Sequence, residues 1–195
     1  MHGQFTHLKI WSPEWAPTVF NWYQSADYRS FFRSVVGFAN EEAFKNYPQM
    51  IGNNVFGIFS ESIPDKLFGL VTVYDIEPVS RCAKIGVMVD AQLHRGKIAS
   101  DALITICREL FDRHNMRRIA IEYLATDTRI TAFAHKFAGL LKKGYVAESI
   151  ERNPIYEGRL KKAAYVDGKY HDVILLGFLK WDFDTVMEAY HGRQS

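Results

Sequence analysis

The segment that most constrains this chain runs from Ile85 to Phe111, IGVMVDAQLHRGKIASDALITICRELF. It begins as an apolar strand, passes through a basic turn with one glycine, and becomes a long amphipathic helix. Ile98, Ala102, Ile106 and Leu110 recur at helical spacing, with Leu103 and Phe111 beside them. If the strands on either side of this helix are parallel neighbours, the connection between them is a right-handed crossover. The turn also makes an anion site. The first N–H groups of a helix have no intrahelical acceptor, and the aligned peptide dipoles concentrate partial positive charge there. His94, Arg95, Gly96 and Lys97 add basic side chains and one unhindered backbone position. A phosphorylated ligand is the expected occupant.

The flanking sequence reads as alternating strands and helices. Leu8 to Trp11 is a short strand, and Pro13 to Tyr28 is helical, with Trp15, Val19, Trp22 and Tyr23 at helical spacing. Asn40 followed by Glu41 and Glu42 marks a capped helix that Pro48 must end or bend. Val55 to Ser60 and Lys66 to Asp75 are strands joined around the turn pair Pro64-Asp65. Ala83 to Val89 is the strand before the basic turn, and Lys97 to Arg113 is the helix after it. Ile119 to Leu124 is a strand, and Arg129 to Lys142 is a helix with Gly144 placed as its C-cap. Glu157 to Val166 and Tyr170 to Trp181 form a hairpin about Asp167-Gly168, a pair suited to a type I′ turn. Asp184 to Ser195 is a tail that either forms a short helix or frays. This order predicts an α+β, three-layer fold: a mixed sheet with helices on its faces. With no linker, repeat or low-complexity run, residues 1–195 are expected to be a single domain.

Composition excludes several classes. The chain is 48% hydrophobic and 24% charged, with no apolar run near the roughly 20 residues that span a bilayer. The N-terminal MHGQFTHLKIW lacks a charged region followed by an apolar one, so a cytoplasmic protein with no membrane partner is expected. Cys82 and Cys107 have no metal-like spacing, so no metal is expected, and Cys107 falls on the apolar stripe of its helix. The formal charge of +2 is neutral on the question of a polyanionic partner.

Two segments carry a family resemblance over roughly Phe5 to Phe183. VDAQLHRGKIASDAL is similar to the acyl-CoA pyrophosphate loop and following helix of the GNAT superfamily of acyl-CoA-dependent N-acetyltransferases. GYVAESIERNPIYEGRLKKAAYVDGKYHDVILLGFL resembles that family's closing hairpin, and within it the ribosomal-protein N-terminal and spermidine acetyltransferase branch. The resemblance implies a mixed, mostly antiparallel sheet with a central splayed pair of parallel strands. It implies that acetyl-CoA enters the splay as co-substrate and that a primary amine attacks the thioester in a ternary complex. The pantetheine arm would meet the backbone of Val87, Met88 and Val89. The pyrophosphate would rest on the backbone from His94 through Arg95, Gly96, Lys97, Ile98 and Ala99 to Ser100. The family loop normally carries a glycine doublet. Here either Lys97 takes the central glycine's place, or Arg95-Gly96-Lys97 aligns and one glycine is deleted. A lysine there requires a negative φ or a shifted turn.

The second helix also departs from the family. Thr128 takes the place of its early Asn, and His135 the place of the Tyr that protonates the departing thiolate. His135 is either that acid or a histidine at the edge of the core. Glu122, in the second splayed strand, is either the base for the amine or a solvated strand residue. Asp90 reads as a turn or helix-entry residue. Tyr145 and Asp172 are the substrate-side candidates, Tyr145 with core packing and Asp172 with holding the hairpin as the other reading. Arg159, Lys161, Lys162 and Lys169 form a basic run; strict alternation puts Arg159 and Lys161 on one face and Lys162 on the other. An N-acetyltransferase acting on a small-molecule or peptide amine is the leading function. The alternatives are a degenerate domain that binds acyl-CoA without turnover, and an acyltransferase acting on nucleic acid. A homodimer is compatible with the sequence.

Overall fold

A computed structural model of the chain describes residues 1–28, 30–32, 40–90, 97–142, 145–146 and 149–191. Its strands are β1 (Thr6–Ile10), β2 (Asn54–Ser60), β3 (Ile63–Glu77), β4 (Cys82–Val89), β5 (Arg118–Leu124), β6 (Tyr156–Val166) and β7 (Lys169–Leu179). Its helices are α1 (Ala16–Gln24), α2 (Glu41–Phe44), α3 (Tyr47–Ile51), α4 (Ile98–Arg108), α5 (Thr128–Leu141) and α6 (Lys180–His191). The strands follow the order β1-β2-β3-β4-β5-β7-β6 in a mostly antiparallel seven-stranded sheet with one parallel pair. The chain divides into two compact units: Met1–Ile76 with Lys84–Asn115, and Glu77–Ala83 with Met116–Ser195.

In the first unit both faces of the β2–β3 pair are buried. Val55, Phe59, Leu67 and Leu70 face an aromatic cluster with Trp15, Trp22, Tyr28, Phe32, Phe44 and Tyr47. Rings meet closely there: Phe44 stacks on Tyr47 at 5.3 Å, and Trp15 lies 5.3 Å from Phe59. Ile58 alternates with Phe59 onto the other face, shared with Thr6 and Leu8 of β1 through the antiparallel register. Helix α4 packs on β1 there. Asn40 caps α2 through Ala43 N at 2.9 Å, and α2 stops at Phe44. Pro48 then enters a second short helix, α3, in its first turn, where no N–H is needed.

The β2–β3 connection is a correction to the sequence reading. The turn is Glu61-Ser62, and Pro64-Asp65 lie within β3. The Ser60 hydroxyl accepts from Ser62 N at 3.3 Å and bonds its hydroxyl at 2.8 Å, closing the turn earlier. Two register shifts between Ile58 and Ser60 take up the extra residues, so Pro64 falls where the ladder is irregular. Helix α4 begins and ends near the expected limits, with Glu109–Arg113 continuing it as a wider π turn. Cys107 is buried in it, and burial pushes its thiol up, as befits a core residue.

In the second unit, β7 pairs with β5 on one side and β6 on the other. Ile119, Ile121 and Tyr123 lie opposite Phe178, Leu176 and Ile174, making one apolar face. Phe137 of α5 meets Phe178 at 5.1 Å, so α5 covers that face. Asp167 and Gly168 both take positive φ, 51° and 77°, as a type I′ turn requires. The strand after that turn ends at Leu179, and the tail becomes α6, whose first turn receives Leu179 N on the Asp182 carboxylate at 2.9 Å. Trp181 is thus helical rather than the end of a strand. Gly144, the expected C-cap of α5, is outside the described residues, as are residues 192–195 of the tail.

Candidate active site

The end of β4 and the start of α4 carry the residues expected to meet acyl-CoA. Val87 is half-buried, while Met88 and Val89 are buried. Gly69 of β3 lies against this stretch: a Cβ there would strike the Met88 carbonyl oxygen and the Val89 Cα. Only glycine lets the two backbones come so close. Asp90 follows, and its carboxylate accepts from Tyr28 Oη at 2.9 Å and Trp22 Nε1 at 3.3 Å. The strand end leading into the basic turn is thereby tied to the aromatic cluster. His94, Arg95 and Gly96 lie outside the described residues.

Lys97 is the N-cap of α4, with φ −99° and no side-chain cap bond. A lysine in the place of a loop glycine is unstrained at that φ. Its ammonium lies 5.0 Å from the Phe5 ring centroid. Ile98, Ala99 and Ser100 form the first turn, each half-exposed. Their amides precede the first intrahelical bond to reach back to the cap, Asp101 N to Lys97 O at 2.9 Å.

Asp101 is the acid of the first turn of α4, and nothing in the sequence singles it out. Its buried carboxylate accepts from Gln4 N at 3.0 Å, Phe5 N at 2.8 Å, Thr6 N at 2.9 Å and Thr6 Oγ1 at 2.8 Å. The first turn of α4 is bolted to the entry of β1. Gly3 packs so tightly on Asp101 and Thr105 that a Cβ would strike both side chains.

The second unit holds the acid–base candidates. Thr128 is the first residue of α5 and is exposed. The cap is Asp127, whose carboxylate accepts from Arg129 N at 3.0 Å and Ile130 N at 3.3 Å. One turn on, Thr131 Oγ1 lies 3.3 Å from Tyr123 Oη of β5. Burial pushes the Tyr123 phenol up, so it stays a neutral hydrogen-bonding group. His135 is four residues beyond Thr131, on the same side of the helix. It is half-buried, and its Nδ1 lies 2.8 Å from the Tyr145 hydroxyl, the two rings stacked at 21°.

These two candidates, read separately from the sequence, are brought together as one pair. Glu122 is not part of it. Tyr123 points to α5, so its neighbour Glu122 belongs to the opposite face of β5, across from Leu175 of β7. Glu122 is half-buried. Arg118 and Glu157 pair on that opposite face, the Glu157 carboxylate seated over Gly177.

Asp172 is engaged in the hairpin. It accepts from Lys162 N at 2.9 Å and lies 3.4 Å from Arg159 Nη1. The Lys162 amide, with Arg159 beside it, holds the Asp172 carboxyl below the usual carboxylate range. Lys162 has φ 51° and sits in a register shift between Leu160 and Ala164. That bulge breaks the strict alternation expected for the basic run. Arg159 also pairs with Glu151 at 2.5 Å, so its charge is balanced by two carboxylates. An exposed hairpin clamp, rather than a dense cationic patch, is what these residues make. Among the described residues, no group of three or more His, Cys, Asp or Glu side chains is placed to share a metal ion, and no helix is long and apolar enough to cross a membrane.

No protein-family model matches the sequence, and no curated protein matches it. Solved structures do match its shape. A spermidine N-acetyltransferase from Vibrio cholerae, in complex with CoA and spermine, aligns with TM-score 0.71 at 14% identity, covering 91% of this chain and 97% of that one. A GCN5-related N-acetyltransferase from Brucella melitensis gives TM-score 0.72 at 16% identity, covering 98% and 83%. A ribosomal L7/L12 alpha-N-protein acetyltransferase in complex with coenzyme A gives 0.65 at 19%, covering 90% and 94%. What the chain shares with all three is the fold.

Proposed function

We propose that this chain, which has the fold of the GNAT acetyltransferases, transfers an acetyl group from acetyl-CoA to a primary amine by direct attack in a ternary complex. The observation that carries this is the fold match over nearly the full length of the chain, with two of the matched structures holding coenzyme A. The start of α4 supports it: a cationic N-cap at negative φ precedes a first turn whose own acid is engaged elsewhere. An uncapped helix N-terminus of this kind suits a pyrophosphate.

In this reading the backbone of Val87, Met88 and Val89 holds the pantetheine arm. His94, Arg95, Gly96 and Lys97, with the amides of Ile98, Ala99 and Ser100, take the pyrophosphate. Thr128 replaces the family's Asn at the cofactor. The amine loses its proton to Glu122, directly or through water, and its nitrogen attacks the thioester carbonyl carbon. The C–S bond breaks and the thiolate takes a proton from His135. Asp172 serves the substrate side indirectly by holding the hairpin. The amines named for the matched structures, a polyamine and a protein N-terminus, set the first panel to try.

The test is release of free thiol from acetyl-CoA in the presence of spermidine and of short peptides with free N-termini. Amine-dependent release is expected. Acetyl-CoA binding without release on any amine would favour the degenerate binding domain instead, and absence of both would overturn the proposal.

A further inference from the structure

The bond between His135 and Tyr145 has a chemical consequence that neither residue carries alone. A neutral imidazole has one N–H donor and one acceptor nitrogen, and the partner of one nitrogen decides where the proton sits. Here the partner is a phenol, a stronger acid than a neutral imidazole N–H. The Tyr145 hydroxyl therefore donates to Nδ1 across 2.8 Å, and the ring's own proton is left on Nε2. The geometry is fixed from the chain as well. Tyr145 N donates to Lys142 O at 3.1 Å, a turn that brings the phenol back over a residue ten positions earlier. The near-parallel rings, with centroids 6.0 Å apart, hold that orientation.

We propose that Tyr145 and His135 form a two-step proton relay, in which Tyr145 acts through the imidazole to supply the proton that the departing thiolate takes. The proposal rests on the acetyltransferase reading above. A neutral imidazole that gave up its Nε2 proton alone would be left as an anion. Taking the phenolic proton at Nδ1 in the same step avoids this.

The amine nitrogen bonds to the carbonyl carbon, the C–S bond breaks, and its electron pair goes to sulfur. Sulfur takes the proton from Nε2, and Nδ1 takes the proton from the phenol. The proton that the amine nitrogen has shed reaches Nε2 through solvent, and Nδ1 returns its proton to the tyrosinate, so both residues regain their starting states. In this account Tyr145 is a positioning residue that never touches the substrate.

The Tyr145→Phe variant keeps the ring and removes only the O–H. The relay predicts that kcat falls by about tenfold or more, while KM for acetyl-CoA changes by less than about twofold. Adding His135→Phe to it should cost no more than His135→Phe alone, because the two act as one unit. The rate in mixed light and heavy water should bow with isotope fraction in the native protein, as for two protons in flight, and become linear in Tyr145→Phe. A readout independent of turnover and of any variant is the ¹⁵N spectrum of His135, which should show the proton on Nε2.

An unchanged kcat in a folded Tyr145→Phe protein, or a proton found on Nδ1 of His135, would overturn the relay and leave the acetyltransferase reading standing. A native protein with the Nε2 proton in place but no thiol release on spermidine or free-N-terminal peptides would overturn that reading, and the relay's use with it.

Discussion

Helices α4 and α5 each follow a strand in the chain and each has an aspartate near its start, yet the two aspartates do opposite things. Asp127 caps its own helix, accepting from Arg129 N and Ile130 N. Asp101 turns away from its helix end and binds the backbone of Gln4, Phe5 and Thr6. The cap position of α4 is held by Lys97, which makes no side-chain cap bond. One helix start is sealed by its own carboxylate. The other keeps its positive end and adds a cation to it. The difference separates a helix terminus that serves the fold from one suited to an anionic ligand.

Mutations that cross this contrast should have graded effects. The largest falls on Asp101. Replacing it by alanine strands the buried amide and hydroxyl of Thr6 and the part-buried amides of Gln4 and Phe5, and should cost about 3 kcal/mol of stability, read by urea denaturation. Its partners lie 95 to 97 residues away in the chain. Retention of native stability would mean the anchor is dispensable. Lys97→Glu reverses the charge at the open helix end and should weaken acetyl-CoA binding by about tenfold, or about 1.4 kcal/mol, with little loss of stability. Calorimetry would show this, and unchanged affinity would return Lys97 to the role of a bystander. Asp127→Ala removes an ordinary cap and should cost about 1 kcal/mol of stability while leaving acetyl-CoA affinity within about twofold. A large affinity loss there would erase the distinction between the two helix starts.

The smallest effect is a pH dependence at the hairpin. Asp172 is held below the usual carboxylate range by the Lys162 amide and by Arg159. A carboxyl lowered in the folded state adds stability that is full above its unfolded pKa and is lost as pH falls through the folded value. The hairpin should therefore loosen as pH drops below the ordinary carboxylate range. Asp172→Asn should flatten that acid limb, seen in amide exchange at Lys162. An acid limb identical in both proteins would remove Asp172 from the clamp.

Local patterns announced what depends on local chemistry. The stripe from Ile98 to Leu110, the Asn40 cap and the Asp167-Gly168 turn are each written in a few adjacent residues, and each formed as expected. The misread features depend on pairing. Pro64-Asp65 looks like a turn until Ser60 closes one earlier and the ladder slips to absorb the remainder. The alternation of Arg159, Lys161 and Lys162 holds only without the bulge that Lys162 and Asp172 make together. At the site, sequence reading picked out both His135 and Tyr145, since each stands at a suggestive position. It could not join them, because the bond depends on how the chain turns after α5. The anchoring roles of Asp101 and Asp90 are illegible in the sequence for the same reason: their donors come from segments remote in the chain.

The contrast between the two helix starts can be measured directly on the ¹⁵N-labelled protein, titrated first with inorganic pyrophosphate and then with acetyl-CoA. The amides of Ile98, Ala99 and Ser100 should move with both ligands, while those of Arg129 and Ile130 should stay still with pyrophosphate. If the α4 amides are unmoved by either ligand, or if pyrophosphate shifts the two helix starts alike, the start of α4 is not an acyl-CoA pyrophosphate site.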